Sequence, residues 1–219
     1  YDDVPVHGIT YGIYDKGQLD VNGNPTKIGE ITTDENGQTR TTLEYGIDHD
    51  YFIKQEGSKF GYKDDTNEYK VKPTDPFIFE TDVITVNVKQ EAKTYKVNYT
   101  FLNKEFYETK VVGATYKLVD EITNSEIEYK TNEEGKISFT LSYGHDHYLE
   151  QIKVPYGYKL TNETHNIHMN EDYADFNFET DEINEIGYVV PETFNIKIHG
   201  TNSVFTDVKP EGVEYTMYN

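Results

Sequence analysis

The chain has 219 residues and a formal net charge of −20, because 40 Asp and Glu residues face 20 Lys and Arg residues. The acidic residues are spread along the whole sequence, and such a surface repels nucleic acid and anionic membranes. The chain contains no cysteine, which excludes disulfides, thiolate metal ligands and thiol catalysis. No apolar run approaches the roughly 20 residues of a membrane-spanning helix. No signal peptide or sorting signal is visible, so we interpret the chain as a mature product or an excised piece.

The first part of the chain consists of short segments with a period of two, separated by turn residues. Such alternation is typical of β-strands with one buried face. Hydrophobic residues make up only 35% of the chain, but 20 Tyr and 11 Phe supply apolar area for a small core. The predicted strands or extended pieces of this part are 9–14, 30–33, 39–44, 51–55, 70–74, 77–80 and 83–90.

The same order of elements then starts again. Residues 94–101 form a strand that places Tyr95, Val97, Tyr99 and Phe101 on one face. The following segments repeat the first part: 113–120 copies 8–15, and 131–159 copies 33–63, including Asp48-His49 as Asp146-His147. Segments 165–169 and 173–178 close this second copy.

A third copy begins at residue 193. Residues 193–219 align without a gap onto 94–120, at an offset of 99 residues (193 − 94). We therefore predict a first repeat at 1–92 that lacks its first strand, a second repeat at 93–192, and the opening strands of a third at 193–219. These are called unit 1, unit 2 and unit 3. No segment has helical periodicity, and about seven short strands per roughly 100 residues predict an all-β chain of tandem immunoglobulin-like or transthyretin-like β-sandwiches.

The motifs of unit 2 resemble a known family. The strand Gly113-Ala114-Thr115-Tyr116-Lys117-Leu118 is followed by a Thr-x-x-x-Gly turn, a Leu-x-Tyr-Gly corner and a strand that runs from Gln151 to Pro155-Tyr156-Gly157-Tyr158. This order is similar to that of the B-type repeat domains of Gram-positive surface proteins, which have the collagen-adhesin B-repeat or SpaA-like pilin fold, a prealbumin-like β-sandwich. The resemblance implies a non-enzymatic, cofactor-free structural protein located outside the cell, on the surface or in the cell wall.

Many members of this family carry a Lys–Asn isopeptide bond promoted by a buried acid, and this chain departs from that pattern. The acid position is Gln55 in unit 1 and Gln151 in unit 2, and an amide cannot act as a general acid. The Lys position on the first strand is Phe101. On the closing strand of unit 1, Asn87 lies on the face opposite to its apolar neighbours. We therefore expect no crosslink.

Other candidate sites favour structural interpretations. His49 and His147 could bind a metal or move a proton beside the glutamines, but we expect packed corner residues whose nitrogens bond the backbone. The odd spacing of His165 and His168 argues against zinc. The acidic pairs are Asp64-Asp65, Glu171-Asp172 and Asp181-Glu182. They could bind calcium, but none has the spaced loop of a calcium site, and we expect solvated loops.

Two functions remain open at this point. The first is a structural repeat segment of a stalk, pilus or fibre, and the second is a module that binds a host or matrix protein. The ragged ends add a hypothesis about partners. Unit 1 lacks a first strand, while unit 3 carries a spare one with Phe194, Ile196 and Ile198 on one face. This strand could complete unit 1 of another copy, head to tail. Alternatively, the chain is a window from a longer continuous array.

Overall fold

The computed structural model describes residues 4–73, 76–79, 81–170 and 182–199, together with residues 204, 212, 214 and 216. These residues form eleven β-strands in three sheets. The described part of the chain has no helix long and apolar enough to cross a lipid bilayer. The all-β prediction is confirmed.

The strands are short, as the spacing of turn residues predicts. In chain order they are β1 Thr10–Leu19, β2 Pro25–Thr32, β3 Tyr51–Glu56, β4 Glu68–Val71, β5 Thr94–Asn103, β6 Thr115–Asp120, β7 Glu126–Lys130, β8 Lys136–Ser142, β9 His147–Lys153, β10 Thr164–Ile167 and β11 Glu182–Val189. Neighbouring strands are antiparallel except β5 and β11, which are parallel.

Unit 2 is a sandwich of two sheets around one core. One sheet has the order β10-β9-β6-β7 and the other the order β11-β5-β8, so β5 is the central strand of the second sheet. Alternate side chains of β5 point into the core, and all four of the predicted inward residues are nearly or fully buried. Lys96 points outward and pairs with Glu182, with 2.6 Å between Nζ and Oε1. The predicted phase of this strand is therefore correct.

The described residues of unit 1 form a single sheet, with the order β2-β1-β3-β4. Its core contains four buried residues, Ile9, Tyr11, Ile13 and Ile53. The strands predicted at 39–44 and 83–90 are wrong, because both segments are irregular. Their counterparts in unit 2 are β8 and β11, which pair with opposite edges of β5. Among the described residues unit 1 has no counterpart of β5, so neither segment has a strand to pair with.

Several other boundaries differ from the prediction. The strand expected at 70–74 begins earlier, as β4, and the one expected at 165–169 is β10. Segment 77–79 is irregular where the structure describes it, and segment 173–178 lies outside the described residues. The strand that closes unit 2 is β11, whose alternation is hard to recognise in the sequence because Glu185 and Gly187 interrupt its apolar face.

Candidate functional site

The position at which the family resemblance predicts the crosslinking Lys, Phe101, belongs to an aromatic cluster in unit 2. Phe101 on β5 stacks on Tyr116 of the facing sheet, with 3.9 Å between ring centroids, and Tyr99 and His165 complete the cluster. The residue opposite Phe101 on β11 is Gly187. A Cβ atom at Gly187 would lie 2.3 Å from the Phe101 ring, so the large ring requires glycine at this position. The side chains facing each other here cannot form a Lys–Asn amide bond.

Gln151, which the family resemblance places at the acid position, lies beside this cluster. Its Nε2 donates to the Tyr116 hydroxyl at 2.9 Å, and its Oε1 accepts from the Thr161 backbone N–H at 3.3 Å. Burial raises the pKa of Tyr116, and burial with the nearby Glu185 charge raises the pKa of Tyr99 to about 12. The site thus contains the neutral amide of Gln151 and the hydroxyls of Tyr116 and Tyr99, which stay protonated. Because none of these groups is charged, we interpret the role of the site as structural.

Unit 1 has a different polar cluster at the equivalent place. Gln90 Nε2 lies 3.0 Å from the Tyr11 hydroxyl and 3.0 Å from Gln55 Oε1, which also accepts from the Asp65 backbone N–H at 3.0 Å. Gln90 Oε1 is buried and has no hydrogen-bond partner among the described residues. Asn87 is exposed, and Val88 beside it packs toward the core, so the structure does not bring Asn87 to Gln55.

An open cleft lies where the described part of unit 1 has no counterpart of β5. We call the place of this strand, between segment 39–44 and segment 83–90, the first-strand slot. The cleft has a volume of about 430 Å³, and its lining includes the core residues Ile9, Tyr11 and Ile53, with Val86 and Val88 from segment 83–90. The lining is therefore largely the inner face of an incomplete sandwich.

Each unit contains an Asp–His pair with a buried carboxylate, and the structure pairs different histidines than the sequence alignment predicts. His49 Nδ1 lies 2.6 Å from the carboxylate of Asp15, and His145 Nδ1 lies 2.6 Å from that of Asp120. His49 therefore corresponds to His145, and the equation with His147 was wrong. His147 Nδ1 contacts the His145 carbonyl oxygen at 3.2 Å, as expected for a packed corner residue.

These pairs are structural rather than exposed to a substrate, because their carboxylates lie within the fold. Burial opposes ionisation of Asp120, but hydrogen bonds from the Thr123 N–H, His145 and the Ile122 N–H lower its pKa to about 2. Burial lowers the pKa of His147 and of His165, so both rings favour the neutral form.

The remaining candidates also have local partners. Asp64 accepts from the Ser58 hydroxyl at 3.1 Å, Asp65 accepts from the Tyr69 hydroxyl at 2.6 Å, and His168 pairs with Asp146. Glu182 pairs with β5 as described above, while 171–172 and 181 lie outside the described residues. In the described part of the chain, no group of three His, Cys, Asp or Glu residues could hold a metal ion.

A packed junction connects unit 1 to unit 2. Tyr143 lies against Phe60 and Tyr62, with ring centroids at 5.6 Å and 5.3 Å and nearly perpendicular planes. Gly61 has a φ of +81°, and a Cβ atom there would lie 2.2 Å from the Tyr143 ring. This glycine is needed both for its backbone conformation and for the close approach.

The connecting peptide is held to unit 1 by backbone bonds. Lys63 N–H donates to the Glu91 carbonyl and Lys93 N–H donates to the Gly61 carbonyl, each at 2.8 Å. The same pattern follows unit 2, where Lys159 N–H donates to Val190 and Glu192 N–H donates to Gly157, each at 2.8 Å. The repeated Tyr-Gly and Gly-Tyr pairs were visible in the sequence, but their role in joining units was not.

This architecture defines a prealbumin-like β-sandwich. Residues 100–184 match the family model of the SpaA prealbumin-like fold domain, in agreement with the resemblance seen in the sequence. The comparison with curated proteins finds no match.

Solved structures are similar to this chain at low identity. The Bacillus anthracis TIE protein is 19% identical with a TM-score of 0.51, and the match covers 85% of this chain and 31% of that one. A streptococcal ancillary pilin is 15% identical with a TM-score of 0.40, covering 85% and 58%. A minor pilin of Streptococcus agalactiae is 13% identical with a TM-score of 0.37, covering 89% and 87%. The chain thus spans about a third of the length of the first of these and over half of the second.

Proposed function

We propose that this chain is a structural repeat segment of an extracellular stalk, pilus or fibre on a Gram-positive bacterial surface. It holds an adhesin away from the cell or assembles into a filament, and it has neither enzymatic activity nor a cofactor. The observation that carries this proposal is the junction, in which Tyr143 of unit 2 packs on Gly61 between two aromatic rings of unit 1. A stack of units with fixed junctions transmits force and can be lengthened by adding units.

The chemistry of the candidate sites supports this proposal. The positions that could crosslink carry Phe101, Gln151 and Gly187, which serve packing and hydrogen bonding. The match of residues 100–184 to the SpaA domain adds support, because the family resembled by this sequence includes stalks of adhesins and shafts of pili. A net charge of −20 keeps such a chain solvated and discourages unspecific association.

Small-angle X-ray scattering on the dilute chain tests the fixed junction. We expect an elongated profile that one rigid arrangement of the two units explains. Replacing Tyr143→Ala should broaden the distribution of distances between units. Tyr45→Ala is the matched control, because Tyr45 is the counterpart of Tyr143 in unit 1 and is 70% exposed. A flexible profile for the unaltered chain would contradict the proposal.

The open cleft in unit 1 is the feature that favours the alternative, a module that binds a host or matrix protein. Capture of purified matrix proteins by the immobilised chain distinguishes the two functions. Saturable binding of one matrix protein that Val88→Asp abolishes would support the binding module. An elongated rigid chain without such binding would support the stalk.

A further inference from the structure

We propose that Asp120 is a positioning residue for the junction between unit 1 and unit 2. Its buried carboxylate holds the corner that carries Tyr143, and protonation of His147 on that corner releases the Tyr143 ring from unit 1. This regulation rests on the proposed structural function and adds to it: the two units form a stiff rod at neutral pH and a flexible one in mild acid.

The corner between β8 and β9 carries the junction residue and the buried histidines within five residues. Tyr143 directly follows β8, His145 comes two residues later, and His147 begins β9. The Tyr143 ring packs so closely on Gly61 of unit 1 that a Cβ atom at Gly61 would lie 2.2 Å from it. Because this contact leaves no free space, a small displacement of the corner is enough to unseat the ring.

The Asp120 carboxylate ties this corner to the end of β6. Its Oδ1 accepts from two backbone N–H groups of the following turn, each at 2.9 Å, which fixes its orientation. Its Oδ2 lies 2.6 Å from His145 Nδ1. Beside this pair, the Glu121 N–H donates to the Asp146 carbonyl at 3.0 Å. The place of Tyr143 therefore depends on a buried charge in unit 2.

His147 is the member of this cluster that responds to a proton. Its Nδ1 lies 3.2 Å from the His145 carbonyl oxygen, so the neutral ring donates there and carries no hydrogen at Nε2. This Nε2 lies 3.6 Å from Asp120 Oδ2. A proton at Nε2 creates a second donor, which competes with His145 for the same carboxylate oxygen.

The seated corner resists this protonation. Burial lowers the pKa of His147, and the Asp120 charge opposes this effect only in part. A released corner exposes the ring and returns its pKa toward about 6.5, the value of an exposed histidine. The released form then binds protons more tightly than the seated form, so release is favoured as the pH falls below about 6.5. With one proton bound per release, the ratio of released to seated junctions should rise by up to about fivefold between pH 6.5 and pH 5.5.

A cleft of about 190 Å³ separates the corner from unit 1 and adds a second electrostatic effect. A positive charge gained by the corner faces the Lys59 cation of unit 1 across this cleft, so protonation also adds repulsion between the units. On the side of unit 2, the Asp146 carboxylate is paired with His168. Besides Tyr143, the titratable and charged residues that line the cleft are His7, Lys59 and Tyr62 of unit 1, and His145, Asp146 and His168 of unit 2.

Unit 1 contains the same arrangement away from this junction, which provides a matched control. The Asp15 carboxylate accepts from two backbone N–H groups, at 2.8 Å and 3.0 Å, and lies 2.6 Å from His49 Nδ1. The corner held in this way carries Tyr45, whose ring packs edge-on against Phe79 of the same unit, with 4.8 Å between ring centroids. Loss of the Asp15 carboxylate should therefore weaken unit 1 without freeing Tyr143.

Spin labels measure the junction directly, and the absence of natural cysteine makes their attachment specific. Labels at Lys54→Cys on β3 and Glu128→Cys on β7, both exposed positions, report the distance between the units by double electron–electron resonance. We expect a narrow distance distribution at pH 7.5 and a broad component that grows between pH 6.5 and pH 5.5, by up to about fivefold relative to the narrow one. His147→Asn keeps a donor beside the His145 carbonyl but cannot take up a proton, so its distribution should stay narrow at every pH.

The carboxylate itself is tested at pH 7.5 in the same labelled chain. Asp120→Asn should make the broad component dominant already at this pH, whereas Asp15→Asn should leave the distribution unchanged. Circular dichroism establishes that each variant retains its β-structure. A folded Asp120→Asn chain with a narrow distribution would overturn the positioning role.

Three further results would overturn the inference. The first is an unaltered chain whose distribution stays narrow down to pH 5.5. The second is broadening of His147→Asn equal to that of the unaltered chain, which would assign the effect to other groups. The third is broadening that appears only together with loss of β-structure. These results do not depend on whether Asp120→Asn folds. A broad distribution of the unaltered chain already at pH 7.5 would instead contradict the fixed junction of the proposed function, so the two failures are distinguishable.

Discussion

Replacing Phe101→Ala should destabilise unit 2 more than any other single truncation of β5. The ring is fully buried and connects the two sheets, since it lies on β5 and stacks on Tyr116 of the facing sheet. Truncation leaves a cavity, and the residue opposite, Gly187, has no side chain that could move into it. The loss therefore includes both the burial of the ring and the cost of the empty volume.

The magnitude follows from these contacts. Truncation of a buried Phe costs about 3–5 kcal/mol, and a site that cannot collapse belongs to the upper part of this range. A domain of this size has a total stability of about 5–15 kcal/mol. Since each kcal/mol lowers the melting temperature of a domain of about 100 residues by roughly 4 °C or more, we expect a decrease of at least about 12 °C.

Urea unfolding followed by circular dichroism measures this loss, and calorimetry separates the transitions of the two units. Phe106→Ala is the matched control, because its ring is 54% exposed and its loss should cost less than about 0.5 kcal/mol. A second measurement reports on the cavity itself. The His165 ring centroid lies 5.5 Å from that of Phe101, and burial lowers its pKa. Water entering the cavity should raise the pKa of His165, which NMR titration detects.

One result would refute this reasoning directly. A loss below about 1 kcal/mol would mean that the Phe101 ring contributes no more than a partly exposed side chain does. The phase of β5 would then be wrong, and with it the assignment of the aromatic cluster to the crosslink position.

Three further predictions concern covalent chemistry, pH and the junction. The intact mass should equal the sequence mass, and a deficit of one ammonia would reveal an isopeptide bond. Unit 2 should lose stability between pH 7 and pH 5, as measured by urea titrations. Burial lowers the pKa of His147 and His165 in the folded state, so protons bind preferentially to the unfolded chain as the pH falls. A free energy of unfolding that stays constant over this range would contradict the prediction. Gly61→Ala should destabilise the dilute chain by about 1–3 kcal/mol more than Gly157→Ala, since both glycines have positive φ but only the first faces Tyr143.

The sandwich of unit 2 could be predicted because its signals are local. Four large side chains alternate along β5, and the burial of a strand face produces that pattern wherever a second sheet covers it. The order of turns and glycines then identified the fold, since positive φ recurs at the corresponding glycines Gly37 and Gly135, whose values are +70° and +71°.

The prediction failed where a strand depends on a distant partner. Segment 83–90 alternates more regularly than β11, yet β11 is a strand and segment 83–90 is not. Alternation shows that a segment can form a strand, but the hydrogen bonds come from a neighbour far away in the sequence. β11 has β5 beside it, and the corresponding neighbour of segment 83–90 is missing from the described part of unit 1.

The histidine error has a similar origin. The motif Asp-His occurs in both units, and sequence identity alone placed His49 on His147. The corner before β3 and the corner before β9 differ in length by two residues, so pairing with the buried carboxylates of Asp15 and Asp120 selects His145 instead. The contact that identifies the equivalent residue is thus a tertiary one, between a corner and the end of β6 in unit 2 or the middle of β1 in unit 1.

The incomplete slot also determines how the stability of unit 1 should depend on its surroundings. Among the described residues its core has four buried members, whereas the core of unit 2 has fifteen. Each apolar side chain of an inserted strand that becomes fully buried contributes about 1.5–3 kcal/mol. Three such side chains approach the whole stability of a small domain before the entropy of ordering the strand is subtracted. Adding a peptide with the sequence of β5 to the chain of residues 1–219 should therefore raise the melting temperature of unit 1 while unit 2 stays unaffected.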